Sequence, residues 1–213
     1  MKVPETIEIE LKAHIEDPVE CRKTLNAFAG SEAAFSKDDT YWFARSPNNE
    51  SIALPPGGLR IRKETVLETG AFPKTRITWK NKEKREGIEI NNEHELELKG
   101  DANIAELFVM LGLERRILKH KQGWFWHYNG ITVELCEISG LIKNSPGKPD
   151  RDSESQNSKN LGWFLELEIL ASDDCAETIA CAREKLLALL EKAGIGKESI
   201  ENKYYSELLQ EGQ

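Results

Sequence analysis

Cysteine is scarce and scattered in this chain. Cys21, Cys136, Cys175 and Cys181 form no CxxC pair and no dense framework, so free thiols in a reducing compartment are expected rather than disulfides. No run approaches the roughly 18 apolar residues that a membrane span needs. The opening MKVPETIEIE lacks the apolar stretch of a secretory signal. These absences read as a cytoplasmic protein with no membrane partner. Positive charge is in deficit, with 29 Lys and Arg against 37 Asp and Glu and a net charge of -8. That argues against nucleic acid or an anionic membrane as the main partner, while leaving room for a local basic site that takes a small anion. The four histidines, His14, His94, His120 and His127, show no metal-ligand spacing. LPPGG at 54–58 has no lysine and no following helix, so it is not a phosphate loop.

What remains suffices for one domain over 1–213. Hydrophobic residues make up 39% of the chain, enough for a core, while 31% are charged, above the usual share near a quarter. The first stretch, TIEIELKAHI, alternates Ile7, Ile9 and Leu11 with Glu8, Glu10 and Lys12, the period-two pattern of a strand. EDPVECRKTLNAFAG then predicts a helix, with Asp17 as N-cap, Pro18 at the first position and Gly30 closing it. Strands are expected at DDTYWFAR (38–45), GLRIRKETV (58–66), TRITWKNKEK (75–84) and EHELELKG (93–100), with a loop at 46–58. A helix follows at 103–112. QGWFWHYNG and ITVELCEISG form a hairpin turning at Asn129-Gly130, and WFLELEIL (163–170) is a further strand. The polar stretch 143–160 is a loop insertion with almost nothing that can enter a core. The carboxy end is helical, from Asp173 to Gly194 and again through KESIENKYYSELLQ. About eight strands with helices at three points give an α+β domain, an antiparallel sheet or barrel flanked by helices.

A single strand with one charged face is ordinarily a wetted sheet surface. Here the charges come as like pairs, EIE, RIR, ELE and ELE, on several strands. Like charges two apart on one face repel and call for a neutralising ligand. Carboxylate pairs suit a hard divalent cation, and arginine pairs suit phosphate oxygens. A barrel that turns its charges inward and hides its aliphatic face under helices would gather both sets in one tunnel, the reverse of the ordinary barrel.

These residues resemble the CYTH family of triphosphate tunnel metalloenzymes, in its branch of CyaB-type, class IV adenylyl cyclases. The ExExK signature stands as Glu8-x-Glu10-x-Lys12; GLRIRKE is similar to the LRIR strand through Arg60 and Arg62; and Lys80 matches the lysine of the next strand. LKHKQGWFW resembles the K-x-R-x-x-Y/W strand through Lys119, Lys121 and Trp124, with lysine at 121 where arginine is usual. ITVELCEISGL supplies Glu134, WFLELEIL supplies Glu166 and Glu168, and KYYSELL supplies Lys203 and Tyr205 near the tunnel mouth. For the remaining acidic strand KREGIEINNEHELELKG offers Arg85 with Glu89, or Glu95 with Glu97; the second pair is favoured, with a turn at Asn91-Asn92.

The resemblance implies a closed eight-stranded tunnel that binds a triphosphate with Mg²⁺ or Mn²⁺. Glu8, Glu10, Glu95, Glu97, Glu134, Glu166 and Glu168 would serve the metal; Lys12, Arg60, Arg62, Lys80, Lys119, Lys121 and Lys203 would hold the substrate; and Glu8, Glu10, Lys12 and Glu134 would be catalytic. Two reactions fit: cyclisation of ATP to cyclic AMP and pyrophosphate, towards which the compact chain and its KYYSELL ending lean, or hydrolysis of inorganic triphosphate, thiamine triphosphate or a nucleotide. A non-catalytic polyphosphate-binding module is a third reading, which retention of the carboxylates argues against. Dimerisation fits the family habit. Trp42 and Phe72 are expected to pack rather than stack on a base, and at most one of Trp124 and Trp126 is expected in the lumen.

Overall fold

The computed structural model describes residues 5–44, 58–67, 73–85, 87–98, 103–143 and 158–211. Eight strands run β1 (Glu5–Ile15), β2 (Ala33–Ala44), β3 (Gly58–Val66), β4 (Lys74–Arg85), β5 (Ile88–Leu98), β6 (Leu113–Tyr128), β7 (Ile131–Ile142) and β8 (Lys159–Ala171). They close a barrel in the order β1-β5-β4-β3-β2-β6-β7-β8, and every neighbouring pair is antiparallel. Four helices flank it among the described residues: α1 (Pro18–Ala29), α2 (Ile104–Met110), α3 (Ala176–Lys192) and α4 (Tyr205–Gln210).

The barrel is inverted as the alternation predicts. Ile9, Leu11, Val133, Leu135, Leu165 and Leu167 point outward and are buried against α1 and α3. Helix α3 meets them with Ile179, Ala182, Leu186, Leu189 and Leu190, spaced at the three- and four-residue intervals of one helical face. Asp17 caps α1 by accepting the Glu20 N–H at 3.0 Å. Gly194, at φ 78°, takes the left-handed conformation past the end of α3, where an L side chain is strained. Asn129 (φ 48°) and Gly130 (φ 77°) make the two-residue β6–β7 turn with the positive φ values it requires.

Several boundaries differ from the sequence reading. β5 begins at Ile88, and Asn91-Asn92 is no turn: Asn91 pairs with Glu8 and Asn92 with Ile7 inside the β1–β5 ladder. β8 begins at Lys159, so two residues assigned to the polar insertion are strand; 144–157 lie outside the described residues, as do Phe72 and all of the expected loop 46–58 except Gly58. The carboxy end divides into α3, a 3₁₀ turn at Lys197–Ser199, an extended link bridged from Ile200 to Ala13, and α4. Trp124 and Trp126 both leave the lumen, because residues two apart share a strand face. Trp126 donates its indole N–H to Asn26 Oδ1 at 2.8 Å, and Trp124 stacks on Trp163 with centroids 5.7 Å apart. Trp42 packs edge-on against Phe108 of α2.

Candidate triphosphate site

Each strand contributes a charged row to the lumen because its odd or even positions all share one face. β1 supplies Glu8, Glu10 and Lys12, and β3 supplies Arg60 and Arg62. β4 supplies Lys80 and Lys82, β6 supplies Lys119 and Lys121, and β7 with β8 supplies Glu134 and Glu166. Together with Lys37, Tyr41, Glu89, Glu93 and Tyr205, all of these except Lys12 line one cavity of about 480 Å³, open to solvent. Seven cationic and six carboxylate side chains face it, so the wall is charged throughout yet nearly neutral in sum.

The charges pair across strands. On one side Lys12 is bonded to Glu89, which also accepts from Lys82 at 3.2 Å. Lys80 bonds Glu8 at 3.0 Å and contacts Glu93, and Asn91 donates to Glu10 at 3.3 Å. Across the lumen Lys121 bonds Glu134 at 2.9 Å and also Glu166, while Lys37 bonds Glu134. Arg62 holds Asp39 through two bonds of 2.6 and 2.8 Å, and Lys119 lies 3.2 Å from the same carboxylate. The Tyr205 hydroxyl donates to Glu166 at 2.5 Å, so α4 fixes a lumenal carboxylate from outside the sheet.

The electrostatics separate these carboxylates into two sets. Burial pushes Glu134 up, but Lys121 and Lys37 outweigh it and leave the group below the ordinary range. Asp39 is likewise held well down, against its burial, by Arg62 and Lys119. Glu8 and Glu168 go the other way. Burial raises Glu8 more than Lys80 lowers it, with Glu93 adding to the rise. Glu168 is pushed up to about 8 by burial and then by Glu8, Glu134 and Glu10. The Glu8–Glu10–Glu168 corner thus has more negative charge than its lysines neutralise, and its donors are all oxygen; both features fit a hard divalent cation. On the cationic side, Arg60 Nε is buried without a hydrogen-bond partner among the described residues, while its Nη2 donates to Thr78 at 3.0 Å and lies 3.7 Å from Glu93.

Most of the residues anticipated from sequence converge here. Glu8, Glu10, Arg60, Arg62, Lys80, Lys119, Lys121, Glu134 and Glu166 line the cavity; Lys12 lies behind Glu89, and Glu168 stands beside Glu10 in the β1–β8 register. Three do not reach it. Glu95 sits farther along β5, 3.4 Å from Arg76, and Glu97 is exposed. Lys203 is exposed and bonds Glu211 at 2.5 Å. The acidic residues of β5 in the cavity are Glu89 and Glu93, because the strand starts earlier than its alternation of Leu and Glu suggests. Arg85 pairs instead with exposed Glu83. Lys37 and Lys82 were not anticipated, and Asp39 and Tyr41, in the expected DDTYWFAR strand, had been given no role in the site. Their signal lay in the parity of β2 and β4, since 37, 39 and 41 alternate on one face and 82 follows Lys80 by two. Among the histidines, His14 lies 2.9 Å from Glu201 and His120 is 2.7 Å from Asp38; none lines the cavity.

No family model and no curated protein matches the chain. Solved structures do share the fold. PH1819 from Pyrococcus horikoshii OT3 is 24% identical, with a TM-score of 0.70 over 97% of this chain and 99% of that one. A candidate adenylate cyclase of Vibrio parahaemolyticus is 14% identical, with a TM-score of 0.62 over 95% and 97%. HpAC1 from Hippeastrum, a candidate adenylyl cyclase with a dominant triphosphatase activity, is 14% identical, with a TM-score of 0.55 over 98% and 96%. At these identities the likeness is one of fold.

Proposed function

We propose that this protein is a divalent-metal-dependent enzyme acting on a triphosphate inside its barrel. One observation carries the reading: seven cations and six carboxylates face a single cavity in the lumen, a wall with no use in packing and a direct use in holding a polyanion with a cation. Glu8, Glu10, Glu134, Glu166 and Glu168 would hold Mg²⁺ or Mn²⁺. When bound, such a cation neutralises phosphate charge and acidifies the attacking oxygen.

The chain's own residues do the rest. Arg60 and Arg62 offer forked donors to phosphate oxygens, and Lys80, Lys119 and Lys121 act as point charges. Carboxylates hold Lys121 and Lys37, and both lysines can turn to phosphate when those carboxylates engage a cation. Ion pairing inside the barrel therefore keeps the donors extended and oriented before substrate arrives, and catalysis is mainly positioning and charge stabilisation.

For the reaction itself we favour cyclisation of ATP in the manner of class IV adenylyl cyclases, on the ordered motifs from Glu8-x-Glu10-x-Lys12 to the KYYSELL ending. Hydrolysis of a triphosphate is the second reading. It is favoured by the cavity wall, where Tyr41 and Tyr205 are the aromatic rings among the lining residues, and by the dominant triphosphatase activity of HpAC1. The test is incubation of the purified protein with Mg²⁺ or Mn²⁺ and, separately, ATP, inorganic triphosphate and thiamine triphosphate, with products resolved by phosphorus NMR. Cyclic AMP with pyrophosphate establishes the cyclase, and orthophosphate without cyclic AMP the hydrolase. Tight triphosphate binding without turnover leaves a binding module.

A further inference from the structure

One buried nucleophile beside the lumen, packed with Phe35, Phe164 and Tyr205, has no part in the reading above. Cys136 lies two residues after Glu134 on the same face of β7, and Glu134 is the direct partner of Glu166 on β8. The Cys136 side chain is fully buried, and no hydrogen bond to its thiol occurs among the described residues. Its sulfur and one carboxylate oxygen each of Glu134 and Glu166 lie within 4.8 Å of one another. Tetrahedral Zn²⁺, with bonds of about 2.0–2.3 Å, holds its ligand atoms roughly 3–4 Å apart, so side-chain rotation alone closes the set. The place between the two carboxylates already takes a cation, because the Lys121 ammonium donates to both.

We infer that Glu134, Cys136 and Glu166 form a site for a thiophilic divalent cation, Zn²⁺ first, inside the tunnel. Mg²⁺ and Mn²⁺ prefer oxygen donors, whereas a thiolate adds affinity selectively for Zn²⁺ and Co²⁺. On binding, the ammonium of Lys121 swings aside, the Cys136 thiol releases its proton to solvent, and sulfur and two carboxylates bind the ion. A fourth position is left for water or a phosphate oxygen. Because Glu134 and Glu166 also belong to the proposed Mg²⁺ set, Zn²⁺ held here competes with the working cation. The binding itself does not depend on that reading.

The exposed Cys175 and Cys181 would confuse a thiol signal, so the test uses a chain with both replaced by serine. The metal-stripped protein is titrated with Co²⁺ and with Zn²⁺ against a chromophoric chelator. The expected result is one tight Zn²⁺ site and a thiolate-to-cobalt charge-transfer band in the near ultraviolet. Adding Cys136→Ser should remove the band and weaken Zn²⁺ by at least the roughly 10–100-fold that loss of a lesser, outer-sphere partner costs. An unchanged Zn²⁺ affinity, or a band that persists, overturns the site. X-ray absorption at the zinc edge, with Cys136 intact, decides the matter even if the serine variant does not fold: a sulfur neighbour near 2.3 Å supports the assignment, and only oxygen or nitrogen neighbours refute it. Triphosphate turnover in Mg²⁺ is assayed on the same preparation. Its absence beside a confirmed sulfur ligand would fault the enzyme reading alone, and its presence without one would fault this inference alone.

Discussion

Replacing Glu168 with glutamine should stabilise the metal-free protein while abolishing its activity. In the folded chain this carboxyl is raised from an ordinary 4.5 to about 8 by burial and by Glu8, Glu134 and Glu10. A raised folded value means that the native state keeps a proton which the unfolded chain has already lost. The protein is therefore favoured below pH 4.5 and loses this contribution as pH climbs towards 8. At about 1.4 kcal/mol per tenfold change in proton affinity, the loss is about 3 kcal/mol by pH 7 and about 5 kcal/mol above pH 8. Glutamine carries no charge in either state and escapes it. Urea unfolding of both proteins in EDTA, from pH 4 to 9, should give similar midpoints at the acid end. The gap should widen in favour of Glu168→Gln towards alkali. Added Mg²⁺ should then rescue the wild type and not the variant. Parallel pH profiles, or a variant less stable than the wild type at pH 9 in EDTA, would refute the reasoning, because the repulsion would not exist.

The other expectations are simpler. Glu10→Gln should abolish turnover in Mg²⁺ while triphosphate still binds, as read by calorimetry beside the NMR assay; unchanged turnover would remove Glu10 from the metal set. Arg60→Ala deletes a buried, underbonded guanidinium and should weaken triphosphate binding by about 1.5–3 kcal/mol, roughly 10–150-fold in Kd. Asp39→Asn uncovers Arg62 and Lys119 and should lower stability by about 3–5 kcal/mol, seen in the urea midpoint. Gly123→Ala puts a Cβ 2.0 Å from the Leu135 carbonyl oxygen, a backbone clash that should part β6 from β7 and cost at least about 1–3 kcal/mol, measured by thermal melting.

How much of this was written in the sequence depends on the range of the interaction. Strand faces and caps were legible because they rest on spacing within a few residues: Ile7-Ile9-Leu11 against Glu8-Glu10-Lys12, Asp17 with Pro18, Asn129-Gly130. The site was legible wherever like charges two apart had no reason to be there, as in Arg60-Arg62 and Glu166-Glu168. It was lost in β5. Glu89, Glu93, Glu95 and Glu97 share one parity, and alternation cannot say which of them lie within the barrel and which run past its rim. Register fixes that, through pairings such as Glu10 with Glu89, and register is a property of two strands together. The partners of β2 were hidden for a similar reason. In SKDDTYW nothing gives Lys37 or Asp39 an ion partner, and only the ladders of β2 to β3 and β6 place Asp39 against Arg62 and Lys119.

The same ladders explain why the barrel tolerates its own interior. A buried lysine or carboxylate alone would be neutralised or expelled, yet Lys80, Lys119, Lys121, Glu89 and Glu93 are all buried. Each has an opposite charge on a neighbouring or facing strand: Lys80 has Glu8 and Glu93, Lys119 has Asp39, Lys121 has Glu134 and Glu166, and Glu89 has Lys12 and Lys82. On the proposed function, substrate binding in such a lumen would be an exchange of partners: a triphosphate would take cations that carboxylates held, and a divalent cation the carboxylates so released. Neither ligand alone leaves the wall balanced, since a polyanion strands Glu134 and Glu166, and a cation strands Lys121. The two should therefore bind cooperatively, each tightening the other by the same factor. Calorimetric titration of triphosphate with and without Mg²⁺, and of Mg²⁺ with and without triphosphate, checks that reciprocity. Equal affinities in the presence and absence of the second ligand would show that the ion pairs of the wall do not exchange.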